Sequence, residues 1–279
     1  SLYRRFLITR KQNTIIEEQK KLVEEKQREV ISSITYARKI QNALLASEKL
    51  LVDQLQHSNL ANEYFLFFRP KDIVSGDFYW AAQHQNNFYL AICDSTGHGV
   101  PGAFMSLLNS NYLREAIIEK GIAEPNLVFD HVRNKLQVGF ENEGQKDGMD
   151  AILLRFYSLN GEITYASANN RSVLIRNNEI IKLNCDKMPV GKGEVEQNFS
   201  LFKLQTQKND MLYLFTDGYA DQFGGASGKK FMYKQLNDFL ISQSHLSASN
   251  QATQIASKFD AWKGNLEQVD DVTLMGIQF

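Results

Sequence analysis

The chain divides into two stretches that differ in their pattern of hydrophobic and polar positions. The first, up to about residue 50, contains neither Gly nor Pro and is rich in Glu, Lys, Gln and Arg. Its apolar residues recur every seven positions, at Ile16, Val23, Val30, Ala37 and Leu44. This is the repeat of a coiled coil. The second core position of the repeat is poorer, with Gln19, Lys26 and Ser33 before Ile40. The pattern therefore predicts one long helix whose pairing is weakly specified.

Two interpretations of this helix stay open. It is either a solvated helix that lies on the next domain or a parallel dimerising linker that carries a signal from an upstream module. The chain starts with Ser-Leu-Tyr rather than Met, so we expect it to be a fragment of a longer protein. The basic pair Arg4 and Arg5 is typical of a start just inside a membrane anchor in that longer protein. We place a helical regulatory linker at residues 1–52 and a second domain at residues 53–279.

From about residue 60 the pattern changes to short β-rich runs separated by Gly, Pro and Asn. Two predicted strands, 64–68 and 88–93, come before two predicted amphipathic helices, 100–120 and 126–141. Six further strands are predicted at 151–157, 162–168, 172–176, 179–183, 199–203 and 211–215, with a tight turn at Asn177-Asn178. Residues 231–262 return to helical spacing, and 272–279 is a closing strand. Strands and helices that cluster separately predict an α+β fold with antiparallel sheets.

Composition excludes several classes of protein. Hydrophobic residues make up 43% of the chain and charged residues 23%, as in an ordinary soluble globular protein. The net charge of -1 and the absence of a basic stripe argue against a protein that binds nucleic acid, including a metal nuclease. Two cysteines, Cys93 and Cys185, argue against a disulfide scaffold and indicate a reducing, cytoplasmic location. No apolar run approaches the ~20 residues that span a bilayer.

Four aspartates, each in its own short segment, carry the candidate chemistry. The segments are Val74-Ser-Gly-Asp77, Asp94-Ser-Thr-Gly-His98-Gly, Phe215-Thr-Asp217-Gly and Asp270-Asp-Val-Thr273. Each segment alone is typical of a turn or a cap. Together, at the ends of strand-like runs, they supply the oxygen ligands that Mg²⁺ and Mn²⁺ prefer. Neither a Walker-type phosphate-binding loop nor a nucleophile motif is present, since Gly-Lys-Ser/Thr, C-x₅-R and G-x-S-x-G are all absent.

The order of these motifs resembles the PPM family, the protein phosphatase 2C-type metal-dependent Ser/Thr phosphatases, and within it the bacterial SpoIIE-like group. The resemblance covers about residues 60–279. Besides the segments around Asp217 and Asp270, it rests on Arg69-Pro-Lys-Asp-Ile-Val-Ser-Gly-Asp77-Phe-Tyr-Trp80 and Cys93-Asp94-Ser-Thr-Gly-His-Gly-Val-Pro-Gly102. It implies a four-layer α/β/β/α sandwich of two antiparallel sheets flanked by helices, with a binuclear Mn²⁺ or Mg²⁺ site at one end.

The resemblance also implies a role for each aspartate. Asp94 would bridge both metals, and the carbonyl oxygen of Ser95 would bind one of them. Asp217 and Asp270 would bind the other metal. Asp77 would hold metal-bound water or bind one metal directly. Asp271 is the second choice of its pair, since the ligand in the family is the first residue of D-x-x-T.

Several other residues keep two interpretations. The catalytic candidates are Asp94, Asp77 and His98, and His98 would be the general acid. Its turn is longer than the Asp-Gly-His of the eukaryotic branch, so it could instead bond within that turn. Asp150 either serves a third, labile cation or caps its strand. Arg69 and Lys71 are candidates for phosphate binding or plain surface charges, and Arg171 is a lesser candidate.

The predicted function is a metal-dependent protein serine/threonine phosphatase that acts on a signalling protein and is regulated by its N-terminal dimerising helix. Members of the SpoIIE-like group commonly act on phosphorylated anti-sigma-factor antagonists. The resemblance therefore implies a phosphoprotein of this kind as a partner, beside a second copy of the chain. The alternative is a catalytically inactive, phosphatase-like module that binds or dimerises signalling proteins.

Overall fold

The long N-terminal helix is the first element of the computed structural model, which describes residues 2–57, 60–140, 147–157, 162–195 and 197–279. This helix, α1 (Leu2–Leu44), has 43 residues. Every residue from 3 to 33 is exposed, including Val23 and Val30 of the predicted seam. This part of α1 therefore does not lie on the next domain. The contact with that domain is made near the other end of the helix, where Gln41 is buried.

The remaining helices flank the β-structure. They are α2 (Glu48–Leu51), α3 (Gly99–Arg114), α4 (Pro125–Gly139), α5 (Gly218–Asp221), α6 (Tyr233–Gln243) and α7 (Ala248–Lys263). Two π-helical segments, Val52–His57 and Glu115–Glu119, continue α2 and α3. Among the described residues, none of the helices is both long enough and apolar enough to span a bilayer.

Thirteen strands are described, and they form two large sheets and one small hairpin. They are β1 (Glu63–Arg69), β2 (Asp77–His84), β3 (Asn87–Ser95), β4 (Gly148–Tyr157), β5 (Glu162–Ala168), β6 (Val173–Arg176), β7 (Glu179–Lys182), β8 (Val190–Gly191), β9 (Phe202–Leu204), β10 (Met211–Phe215), β11 (Phe223–Gly224), β12 (Lys229–Lys230) and β13 (Val272–Gln278). One sheet has the order β1-β13-β10-β6-β7. The other has the order β2-β3-β4-β5-β9, with β8 paired to β4. Every pairing between these strands is antiparallel.

Three apolar cores separate four layers. The central core lies between the two sheets, and an outer core joins each sheet to its helices: α3 and α4 on one side, α6 and α7 on the other. In β3, Leu90 and Ile92 face the central core while Tyr89 and Ala91 face the helices. Because both faces of such strands are buried, their sequences are continuous apolar runs. The predicted four-layer α/β/β/α sandwich is confirmed.

Most predicted elements are found within a few residues of their expected bounds. The turn at Asn177 and Asn178 is confirmed, with φ of 51° and 63° at the two residues. The strand predicted at 199–203 is wrong in position, since β9 covers Phe202–Leu204. Strand β2 was not predicted, although its Phe78-Tyr79-Trp80 run is typical of a strand. The last residue of the helix predicted at 126–141 lies outside the described residues.

The division between a linker over 1–52 and a domain over 53–279 stays a prediction. Ala46 and Leu51, on the linker side, are buried in the central core together with Leu55. The segment after α1 therefore packs with the sandwich, although it belongs to the first stretch by sequence pattern.

Candidate active site

Three aspartates lie side by side on neighbouring strands at one end of the second sheet. Asp77 in β2 is directly opposite Asp94 in β3, and Asp94 is directly opposite Asp150 in β4. Residues opposite each other in an antiparallel pair project from the same face. Ile92 and Ile152, two residues further along the same face, belong to the central core. The three carboxylates therefore continue the inter-sheet face beyond its apolar part.

The first sheet brings two more aspartates to the same end of the sandwich. Asp217 follows β10, and Asp270 precedes the neighbouring antiparallel strand β13. The two junctions are joined by a hydrogen bond from the Thr216 N–H to the Thr273 carbonyl, 3.0 Å long. The carboxyl of Asp217 does not cap the short helix that it precedes. The interpretation of this aspartate as an ordinary cap therefore finds no support in the structure.

The five carboxyl groups influence one another electrostatically. Burial, followed by the charges of Asp77, Asp217, Asp270 and Asp150, raises the pKa of Asp94 well above its usual value. Burial and the charge of Asp270 raise the pKa of Asp217 to about 6. The pKa values of Asp150 and Asp270 are raised as well, chiefly by burial. Like charges crowded in a buried place favour the binding of protons or of cations.

A cavity of about 270 Å³ opens at this place, with Asp94, Asp150 and Asp217 in its lining. Its donors are carboxylate oxygens, the ligands that suit Mg²⁺ and Mn²⁺. Asp94 by itself acts to lower the pKa of Asp217. Within the described ranges, no three His, Cys, Asp or Glu side chains converge closely enough to form a ligand shell. The residues therefore fit a hard cation by type and by location, and their side chains must still turn toward it.

Asp77 is held in place by two threonines. Its Oδ2 accepts hydrogen bonds from the hydroxyls of Thr216, at 2.6 Å, and Thr273, at 2.8 Å. Burial raises the pKa of Asp77 well above its usual value, and these two hydrogen bonds oppose the shift. Both threonines stand within the sequence motifs of the aspartates, which predicted no role for them. The two threonines lie at the end of the first sheet, and they hold the carboxylate of Asp77, which belongs to the second sheet.

The adjacent aspartates Asp270 and Asp271 have different surroundings. Both carboxylate oxygens of Asp271 accept backbone hydrogen bonds, from the N–H of Lys71 and the N–H of Gly76, each at 2.7 Å. Asp271 therefore anchors the loop that leads to Asp77. Asp270 accepts one hydrogen bond, from the N–H of Asp271 at 2.9 Å. Its charge contributes to the raised pKa of Asp94. This supports Asp270 as the ligand of the pair.

The turn after Asp94 depends on close backbone packing. Gly97 has φ of 85°, which is in the left-handed region. A Cβ on Gly76 would collide with the Gly97 carbonyl oxygen, so this approach requires glycine. The hydroxyl of Ser95 accepts a hydrogen bond from Asn109 at 3.0 Å, on the helix side of the sheet. The carbonyl oxygen of Ser95, rather than its side chain, is therefore what this residue can offer to a cation.

His98 lies at the rim of the site, in a row with two charged residues. Its Nδ1 is 3.4 Å from the carboxylate of Asp72, and its Nε2 is 3.3 Å from the ammonium group of Lys71. The side chain does not cap α3, although His98 precedes that helix. Both His98 and Lys71 act to lower the pKa of Asp270. The predicted catalytic histidine is thus near the aspartates and is positioned from outside its own turn.

The basic candidates are placed differently. Arg69 forms an ion pair with Asp260 in α7, and its guanidinium group lies 5.4 Å from the centre of the Phe259 ring. Arg171 lines the acidic cavity, with its guanidinium group 4.6 Å from the centre of the Tyr233 ring. Lys71 and Arg171, rather than Arg69, are therefore the cations that the structure brings to the site.

Asp150 lies within β4 and does not head the strand as a cap would. Its Oδ1 accepts a hydrogen bond from the Asn169 side chain at 2.9 Å. Asn169 also lines the cavity, and sequence reasoning missed it, because a single Asn in a loop carries no signal of its own. The location of Asp150 beside Asp94 is compatible with the predicted third cation.

Comparisons with known proteins agree with this fold. The family model described as "Stage II sporulation protein E (SpoIIE)" matches residues 84–279. The phosphoserine phosphatase RsbU of Bacillus subtilis (strain 168) is 24% identical over 199 residues, covering 70% of this chain and 55% of RsbU. The chain thus spans about half the length of this curated relative.

Two solved structures extend the comparison. The SiaA-PP2C domain of Pseudomonas aeruginosa has a TM-score of 0.80 and 25% identity, over 91% of this chain and 98% of that domain. The phosphatase domain of SpoIIE from Bacillus subtilis, with a fragment of its regulatory domain, has a TM-score of 0.63 and 16% identity. That match covers 78% of this chain and 63% of the other. The predicted resemblance to SpoIIE-like, PP2C-type domains is confirmed.

Proposed function

Because the chain belongs to the SpoIIE family, we propose that it is a metal-dependent protein phosphatase that dephosphorylates phosphoserine or phosphothreonine in a signalling protein. The observation that carries the proposal is the gathering of five aspartates from both sheets at one end of the sandwich. The similarity to a phosphoserine phosphatase, RsbU, supports the same reaction. A phosphorylated anti-sigma-factor antagonist is the substrate class that the family resemblance suggests.

The residues that would hold two divalent cations lie at the end of the sandwich where the five aspartates gather. Asp94 would be the central ligand, and the Ser95 carbonyl, Asp217 and Asp270 would complete the set of oxygen ligands that holds the ions. Asp77 would orient water or bind directly through Oδ1, since its Oδ2 already accepts two hydrogen bonds. Asp150 would serve a third cation. Bound Mn²⁺ or Mg²⁺ would supply an activated water and neutralise charge on the phosphate oxygens.

The basic residues at the rim would position the phosphate and move a proton. Lys71 and Arg171 would bind phosphate oxygens, because positioning and charge neutralisation carry most of the rate in phosphoryl transfer. His98 would donate a proton from Nε2 to the Ser or Thr oxygen that leaves. Asp72 would hold its Nδ1 and fix the ring orientation. Nε2 now faces the Lys71 ammonium, so Lys71 must turn toward the phosphate first.

We propose that α1 regulates this site through Gln41. Its side-chain amide donates to the Ser75 carbonyl at 2.5 Å and to the Ser106 hydroxyl at 2.8 Å, and it accepts from the Ser75 N–H at 3.1 Å. Ser75 lies two residues before Asp77, so a tilt of α1 is transmitted directly to the aspartate loop. Gln41→Ala should change the Mn²⁺ affinity, whereas Gln19→Ala, on the exposed part of α1, should not.

The exposed seam of α1 supports a homodimer. Ile16, Val23 and Val30 are each more than half exposed, which is costly for apolar side chains in a monomer. Removal of residues 3–33 leaves every buried side chain in place. Analytical ultracentrifugation should show a dimer that becomes a monomer after this truncation. A monomer before truncation would refute the pairing, and α1 would be a passive tether only if metal affinity and turnover were unchanged by its removal as well.

The test of the proposed reaction is the Asp94→Asn variant. It should abolish Mn²⁺-dependent hydrolysis of p-nitrophenyl phosphate, because the central carboxylate loses its charge while the side chain keeps its size. Asp53→Asn, the same change on an exposed residue far from the site, is the matched control and should keep full activity. Full activity of Asp94→Asn would overturn the site assignment.

The alternative, an inactive binding module, predicts a different calorimetric result. Such a module needs no cation, so titration with millimolar Mn²⁺ should then release no heat of binding. The aspartates argue against it, because five crowded carboxylates are costly to keep without a cationic partner.

A further inference from the structure

A second cavity adjoins the acidic one. It has a volume of about 650 Å³ and is lined by residues of the loop at 170–173, of β7 and the segment after it, and of the start of α6. Asn170, Arg171 and Tyr233 line both cavities. The larger cavity is therefore a groove that leads away from the aspartates, and Arg171 stands where the two meet.

Arg171 is free to bind an anion. Its guanidinium group packs on the Tyr233 ring, which fixes its position without using its charge. Among the described residues, no carboxylate forms an ion pair with it, whereas Arg69, Arg133 and Arg176 each have an aspartate partner. Arg171 is therefore suited to bind an anionic ligand that occupies both the aspartate cavity and the groove.

The groove is basic along its length. Lys182, Lys187 and Lys234 line it together with Arg171, against one acidic residue, Asp238. The three lysines are exposed, and no ion pair involves them in the described part of the chain. Val173, Ile180 and Leu183 supply an apolar lining between the charges. The chain as a whole carries a net charge of -1, so this clustering of unpaired cations is local.

We propose that this groove binds an acidic segment of the substrate protein, next to the phosphorylated residue. The proposal rests on the proposed phosphatase function, since it assumes that the phosphate enters the aspartate site. Arg171 would contact the phosphate or the first acidic side chain, and the three lysines would contact the acidic residues that follow. The substrate class is thus a phosphoprotein whose phosphoserine or phosphothreonine is flanked by Asp or Glu.

The test uses fluorescent phosphoserine peptides that differ only in flanking residues, which are glutamate, glutamine or lysine. Binding to the full chain is measured by fluorescence anisotropy in EDTA, so that no hydrolysis is needed. The glutamate peptide should bind at least about tenfold more tightly than the lysine peptide, since several charge pairs contribute. The difference should shrink at high salt, because exposed charges are screened.

The double variant Lys182→Glu/Lys234→Glu should remove or reverse the preference. Lys208→Glu, a single reversal on a different surface, is the control and should keep it. Equal affinity for the three peptides, or a preference that survives the double variant, would overturn the docking proposal. Failure of the wild-type chain to hydrolyse p-nitrophenyl phosphate with Mn²⁺ would instead overturn the proposed function, so the two failures are distinguishable.

Discussion

The two sheets contribute aspartates to the site in different ways. Asp77, Asp94 and Asp150 lie inside strands, opposite one another, and the ladder hydrogen bonds of three strands fix their backbone. Asp217 and Asp270 lie outside strands. Asp217 comes two residues after the last residue of β10, and Asp270 two residues before the first residue of β13. The first half of the site is therefore set by strand register, while the second half depends on two junctions.

This difference shows how a fold can hold crowded carboxylates in place. The strand half continues a face whose other residues are packed in the central core, so its aspartates cannot retreat from one another. The junction half lies outside the strand ladders, so its backbone can adjust. We expect the junction aspartates to make the final movement around a cation, and the strand aspartates to stay where they are.

The largest expected effect separates the two halves directly. Asp94→Asn should lower turnover of p-nitrophenyl phosphate by roughly 10³-fold, equal to about 4 kcal/mol, since it removes the charge of the central carboxylate of the proposed metal site. Asp270→Asn should cost less, roughly 10–100-fold, and should be partly rescued by higher Mn²⁺ concentration. Steady-state kinetics over a range of Mn²⁺ concentrations measures both. Equal, unrescued losses would contradict the division into a fixed and an adjustable half.

The next effect concerns stability and distinguishes adjacent residues. Asp271→Ala leaves the N–H groups of Lys71 and Gly76 unpaired, and should lower the free energy of unfolding by roughly 2–4 kcal/mol. Asp270→Ala removes one of several like charges and should leave the stability of the metal-free protein unchanged or slightly higher. Urea denaturation in EDTA measures both. Asp271 would lose its proposed anchoring role if the two variants were equally stable.

Strand patterns predicted the fold well because burial on both faces leaves a strong signal. The runs that became β3 and β10 are continuous and apolar, and the predicted α+β class follows from their clustering. Strand β2 was not predicted because it begins at Asp77, directly after a Gly turn, and its first residues were interpreted as part of the aspartate motif. The seven-residue repeat in α1 predicted the helix. It did not distinguish a helix that lies on the next domain from one that pairs with a second copy of the chain.

The site was predictable only in part, for a physical reason. The four aspartate segments stand out in sequence only as a set, because each of them alone is typical of a turn or a cap. The residues that position them do not stand out: Thr216 and Thr273 come from distant strands and meet at Asp77 only after folding. Arg69 was a reasonable candidate for phosphate binding by its proximity to Asp77 in sequence, yet its pairing with Asp260 depends on the packing of α7.

A smaller effect is expected from the residues that join the two halves. Replacing Thr216 and Thr273 with Val removes both hydrogen bonds to Asp77 Oδ2 and keeps the side-chain shape. Supporting hydrogen bonds of this kind are typically worth 10–100-fold in metal affinity or activity, so Mn²⁺ affinity measured by calorimetry should fall by roughly that factor. Thr164→Val, a buried threonine with no hydrogen-bond partner for its hydroxyl among the described residues, is the matched control. An equal affinity loss in the control would place the threonine effect in packing rather than in Asp77.

The smallest expected effect is the pH dependence of stability in the metal-free protein. The pKa of Asp217 is raised to about 6 in the folded state, above the ~3.9 of an unfolded chain. The folded state therefore binds more protons, and the contribution of Asp217 is present below pH 4 and lost as the pH rises through 6. The Tm measured in EDTA should fall more between pH 4.5 and 7 in the wild type than in Asp217→Asn, by a few degrees. Mn²⁺ should reverse the trend, because it binds the deprotonated carboxylates and so stabilises the protein more at pH 7 than at pH 5. If the wild type and Asp217→Asn had parallel pH profiles in EDTA, the pKa of the Asp217 carboxyl would not be raised by its burial and by the charge of Asp270.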